Sequence, residues 1–235
     1  MTATWPAAAA SLVADLRNVF GDRLWSVVAY GGPVDGNPRA PLTSLALVSG
    51  LSIGDLEGCA RRAAHWERAG IGTPLVLPVD EFRRSLDAFP LEFTEIMRAH
   101  ERVYGADPFA GLEVPREQLR TACETQIKGH LLHLREGFIE AHGSPTAVAR
   151  LVTAAAPAFT ALLRNVARLN DVTTSDHMAA TRAGALASGV PDGIVSDLLA
   201  LEQPSDVPAA DPARLFPGYL DAVEQLARVV DTWKV

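Results

Sequence analysis

The sequence predicts an α+β protein: a mixed-sheet domain over residues 1–114, then an all-helical bundle over residues 115–235. Three observations lead there. Apolar residues switch between strand-like and helix-like spacing up to Tyr104-Gly105, and only helical spacing follows Pro115. A break marked by Asp107-Pro108, Gly111 and Pro115 separates the two patterns.

In the first half, residues 7–20 place Leu12, Val13, Leu16, Val19 and Phe20 at helical spacing and stop at Gly21-Asp22. A strand over 24–30 then runs into Gly31-Gly32, and a loop over 33–43 leads to a second strand at 45–48. Residues 55–69 read as a helix closed by Gly70. Residues 73–78 are almost wholly apolar, the pattern of a strand covered on both faces. Asp80 is placed to cap a helix over 81–88, Pro90 opens another containing Phe93, Ile96 and Met97, and 102–105 form a last strand.

The second half begins with a long helix, 116–142, whose apolar stripe contains Leu119, Cys123, Ile127, Leu131, Leu134, Phe138 and Ala141. Ser144-Pro145 is a cap followed by a first-turn proline and starts a helix to about Leu169, with a kink expected at Pro157. Helices over 174–188 and 191–201, a Pro-rich loop over 204–212 and a last helix over 217–233 complete the bundle.

Composition narrows the function. The 235 residues carry a net charge of −7, with acidic excess in both halves, so neither half offers the clustered positive charge that a phosphate backbone demands. Nucleic acid is a disfavoured partner. No run of the length that spans a bilayer stands out, and the Ala-rich start lacks a basic leader, so a cytoplasmic location and no membrane partner are expected. Cys59 and Cys123 lie far apart without His or Cys at ligand spacing, which argues against a disulfide framework or a structural zinc site.

The strand ending in Gly31-Gly32, the long loop and the second apolar strand resemble the opening of the nucleotidyltransferase superfamily. The order of elements is similar to the kanamycin-type and minimal nucleotidyltransferases, where a catalytic domain precedes a helical bundle. Phe20-Gly21-Asp22-Arg23-Leu24, Phe89-Pro90-Leu91-Glu92-Phe93, Val103-Tyr104-Gly105-Ala106-Asp107-Pro108-Phe109, Leu131-Leu132-His133-Leu134-Arg135-Glu136-Gly137-Phe138 and Leu215-Phe216-Pro217-Gly218-Tyr219-Leu220 carry the likeness along the chain. The resemblance implies a Gly-Ser turn against the phosphates, then Asp-x-Asp or Asp-x-Glu about a dozen residues later, and a third acid on a later strand. Carboxylates there would hold divalent metal against a triphosphate.

This chain departs from that pattern. Gly32 stands where the serine is expected, and counting places Ser44 and Ala46 where the acids are expected. Leu75-Val76-Leu77 supplies no third acid, and Asp35 and Asp55 lack a second acid two positions away on a strand. The expected protein is thus a degenerate member with no catalytic residues, metal or cofactor, keeping a cleft between sheet domain and bundle for binding or subunit contacts. Restoring the acids, Ser44→Asp with Ala46→Asp, is expected to create a Mg²⁺ or Mn²⁺ site.

The expected ligand-binding residues are Gly31, Gly32 and Ser44, joined by Glu124, Lys128 and Arg135 on one stripe of the long helix. A nucleotide or other small molecule, and a second copy of the chain, are the expected partners. Two alternatives stay open: an active nucleotidyl or adenylyl transferase acting on a small hydroxylated acceptor, and a ribonuclease. The second rests on the spacing of Arg135 and His142, which resembles the Arg-x(4–6)-His pattern of HEPN ribonucleases.

Overall fold

The computed structural model describes residues 5–32, 34, 40–172, 174, 176–201 and 211–233. Asp35 and most of the expected Pro-rich loop, up to residue 210, lie outside the described residues. The chain is α+β and divides into two compact units, Met1–Val114 and Pro115–Val235.

The first unit runs α1 (Trp5–Phe20), β1 (Leu24–Tyr30), β2 (Thr43–Val48), α2 (Ile53–Arg68), β3 (Leu75–Pro78), α3 (Val79–Ser85), α4 (Pro90–Arg98) and β4 (His100–Gly105). The sheet order is β3-β2-β1-β4. β1 is antiparallel to β2 and β4, and β3 is parallel to β2.

Strand side chains alternate between faces, so β1, β2 and β3 each feed two cores. Val27, Ala29, Ala46 and Val48 pack with Leu12, Leu16 and Phe20 of α1 and with Cys59 and Trp66 of α2. Val28, Leu45 and Leu47 pack on the other side with Phe82 of α3, Phe93 and Ile96 of α4, and Phe109. The sheet is therefore the middle layer of the unit. Ser52 starts α2 with a capping box, exchanging hydrogen bonds with Asp55, and the Trp66 indole donates to Asp15 of α1 at 2.9 Å.

The expectation that 73–78 is a strand covered on both faces is corrected. β3 begins at Leu75, occupies a sheet edge and leaves Leu75 41% exposed. Apolar composition alone does not separate a buried central strand from an edge strand beside an apolar cavity.

The second unit contains α5 (Arg116–Glu140), α6 (Pro145–Leu169), α7 (His177–Ser188), α8 (Asp192–Leu201) and α9 (Pro212–Thr232). α6 packs against the other four helices. It is long and apolar enough to cross a membrane, and Val152, Ala156, Phe159, Leu163 and Val166 are among its residues buried in the bundle core. Ser144 caps it as expected and Pro157 lies inside it. α9 starts five residues earlier than expected, because Asp211 accepts a hydrogen bond from Ala213 and Pro212 fills the first turn. Pro217 is left inside the helix.

Within this core His130 Nε2 lies 2.7 Å from the Tyr219 hydroxyl, and its ring stacks on Phe159. Burial, with a smaller contribution from His133, pushes the His130 pKa from 6.5 down to about 4. A lowered histidine pKa means that the unfolded chain binds the proton more readily between those two values. The stability of neutral His130 is therefore complete above the ordinary value and lost as pH falls through that window. Urea unfolding at about pH 7.5 and about pH 4.5 should show wild type losing about 2 kcal/mol more than His130→Gln. Equal losses would exclude His130 as the source.

Candidate functional site

Both glycines that close β1 are demanded by the backbone. Gly31 and Gly32 have φ of +59° and +43°. A Cβ on Gly31 would lie 3.0 Å from Thr43 Oγ1, and one on Gly32 would lie 2.9 Å from the Pro41 carbonyl oxygen. Thr43 Oγ1 donates to the Tyr30 carbonyl, stapling the start of β2 to the end of β1.

Ser44 is opposite Ala29 in the sheet and 1% exposed. With Ala46 and Val48 it occupies the alternate positions that face α1 and α2, so the two positions counted as the lost carboxylates look into a closed core. The Ser44 hydroxyl is buried without a hydrogen-bond partner. Thr43, Leu45 and Leu47 belong to the opposite face. Asp55, the other acid considered, is a structural group. Arg23 grips it with bonds of 2.6 and 2.8 Å, and together with Ser52 holds its carboxyl far below the usual range.

The stripe on α5 is an ion-pair ladder. Glu124 bonds Arg120 at 2.9 Å and Lys128 at 2.6 Å, Lys128 also reaches Asp231 of α9 at 2.7 Å, and Arg135 bonds Glu224 of α9 at 2.8 Å. Each positive charge sits against a carboxylate, so the stripe ties α5 to α9 rather than presenting free cations to an anion. Arg135 is engaged in this way, while His142 lies beyond the end of α5 with φ of +49°.

The structure reveals a feature that spacing did not. A cavity of about 440 Å³ opens on the face of the sheet occupied by α3 and α4. Leu75 and Leu77 of β3 form one wall, and Phe89, Phe93 and Ile96 form another. Tyr30, immediately before the glycine turn, contributes its ring, and burial raises the phenol pKa so that it stays protonated.

No family model and no curated protein sequence matches the chain. Among solved structures, the chain is similar to a spectinomycin adenyltransferase from Enterococcus faecialis, crystallised with ATP and spectinomycin. The likeness has a TM-score of 0.64 at 13% identity and covers 95% of this chain and 99% of that one. The fold is nucleotidyltransferase-like. Nucleotidyltransferase chemistry calls for paired carboxylates on the strands beside the glycine turn, and among the described residues β4 alone brings an acid there, Glu101 opposite Ala29 with His100 opposite Tyr30. β1, β2 and β3 read Leu-Trp-Ser-Val-Val-Ala-Tyr, Thr-Ser-Leu-Ala-Leu-Val and Leu-Val-Leu-Pro, without an acid or a histidine on either face. Among the described residues no group of three or more His, Cys, Asp or Glu side chains is placed to hold a metal ion.

Proposed function

We propose that the chain is a cytoplasmic, nucleotidyltransferase-fold binding protein that does not perform metal-dependent nucleotidyl transfer. The composition of β1, β2 and β3 carries this reading, with β4 contributing a single carboxylate, Glu101 opposite Ala29. In-line transfer needs hard oxygen ligands to hold metal against the triphosphate, and methyl, isopropyl and hydroxyl groups cannot neutralise that charge. Either register of β2 leads to the same place, because neither Ser44 and Ala46 nor Thr43, Leu45 and Leu47 include a carboxylate. The Gly31-Gly32 turn then serves as scaffold, fixing Tyr30 at the cavity, and a small molecule is the ligand.

Incubation with each ribonucleoside triphosphate, Mg²⁺ or Mn²⁺ and a panel of aminoglycosides should release no pyrophosphate above the protein-free control. Reproducible release that vanishes when Tyr30 and Thr43 are replaced would overturn the proposal. It would instead favour adenylyl transfer onto a small hydroxylated acceptor, the alternative supported by the fold shared with the spectinomycin adenyltransferase.

A further inference from the structure

Taking the small-molecule binding role proposed above as its starting point, we infer that the cavity between β3 and α4 holds an uncharged carbocyclic aromatic of about two fused rings with a single hydroxyl group.

Room and walls set the body of the ligand. An apolar cavity of about 150 Å³ accepts one benzene ring, so about 440 Å³ accommodates a fused pair. Leu75, Leu77, Phe89, Phe93 and Ile96 supply aliphatic and aromatic surface. Phe93 and Ile96 are held in the core beneath the sheet, whereas Leu75 and Phe89 are 41% and 54% exposed. Covering the exposed pair with a flat apolar body removes their surface from water, which is favourable.

Most polar groups of the lining are already engaged. Ser85 Oγ donates to the Glu81 carbonyl at 2.7 Å, Glu95 pairs with Arg98 at 3.5 Å, and Glu92 also has a partner. Glu81 is exposed in the first turn of α3, where water solvates its carboxylate. A charged ligand of either sign would therefore lose hydration against leucine and phenylalanine without gaining a partner that replaces it. Tyr30 differs from these groups. It lines the cavity, burial keeps its phenol protonated, and its hydroxyl forms no hydrogen bond with another described residue. One neutral group that both donates and accepts answers one ligand hydroxyl. A purine would bring several ring nitrogens to walls that answer one of them and would leave the others unpaired.

Titration of the full chain into 2-naphthol, naphthalene, 2-naphthylmethylamine, 2-naphthoate and adenine, followed by calorimetry near neutral pH, separates charge from ring chemistry. 2-Naphthol should bind with a Kd below about 1 mM and at least about tenfold more tightly than the amine or the acid, and adenine should not bind in that range. Tyr30→Phe keeps the ring and should weaken 2-naphthol about three- to tenfold while leaving naphthalene unchanged. Phe89→Ala removes an exposed ring and should weaken both. The inference is overturned if either ion or adenine matches 2-naphthol, if 2-naphthol does not bind below about 1 mM, if Tyr30→Phe leaves its advantage over naphthalene intact, or if Phe89→Ala changes nothing. No triphosphate enters these titrations, so a failure here leaves the absence of nucleotidyl transfer untouched, whereas pyrophosphate release in the turnover assay sinks the proposed function without altering these affinities.

Discussion

Ser44→Asp combined with Ala46→Asp should unfold the sheet unit rather than build a metal site. Counting from the glycine turn led to the opposite expectation, and the structure supplies the reason for the reversal. Ala46 is fully buried among side chains of α1 and α2, and Ser44 shares its face with the hydroxyl already unsatisfied. An unpaired carboxylate introduced there loses its hydration without gaining a partner, which costs several kcal/mol, and two within one strand repeat also repel each other. The total approaches the ~5–15 kcal/mol by which a domain is stable at all. Thermal melts should show loss of the cooperative transition of the first unit, with no recovery on adding Mn²⁺. A Mn²⁺-dependent rise in melting temperature, absent from the parent protein, would mean that these side chains reach solvent and that the assignment of faces is wrong.

That reversal marks where the sequence was legible and where it was not. β1 was readable to the residue, because an apolar run rich in β-branched residues ends at two glycines whose positive φ the chain requires. α6 was equally readable through Ser144-Pro145, where a cap and a first-turn proline coincide. The face of β2 was not, since a one-residue error in counting across a loop exchanges every inward side chain for an outward one. The start of α9 was read at Pro217, whereas the Asp211 cap and first-turn Pro212 begin the helix five residues earlier and bring Phe216 into the bundle core.

Long-range partners were out of reach for a different reason. Nothing within α5 announces that Lys128 and Arg135 are matched by Asp231 and Glu224, and nothing in β3 announces that Leu75 and Leu77 share a cavity with Tyr30 and Phe93. Such groupings depend on how separate elements pack, which periodicity within one element does not encode. Glutamates in the first turns of α3 and α4, flanking exposed apolar residues, were the one local signal of the cavity, and each is also an ordinary helix-start residue.

Gly184→Ala should be the most damaging single-methyl substitution in the bundle, although helix propensity alone predicts the reverse. In the interior of a helix alanine is favoured over glycine by about 1 kcal/mol. At Gly184 of α7, however, the added Cβ would lie 1.8 Å from the Leu163 carbonyl oxygen and 2.6 Å from its carbon. Those atoms are backbone of α6, the helix that every other helix of the unit packs against, so no side chain can rotate away. The two helices would have to separate, losing contacts of buried residues such as Leu163, Val166 and Ala185; overpacking of this kind costs about 3 kcal/mol or more, which outweighs the propensity gain. Gly129 in α5 is the internal control, since a Cβ there meets nothing within 4 Å. Urea unfolding should therefore show Gly129→Ala gaining about 0.5–1 kcal/mol and Gly184→Ala losing at least about 2 kcal/mol net. If both variants gain stability, α6 and α7 do not approach as closely as described, and the bundle packing would need to be redrawn from that crossing outward.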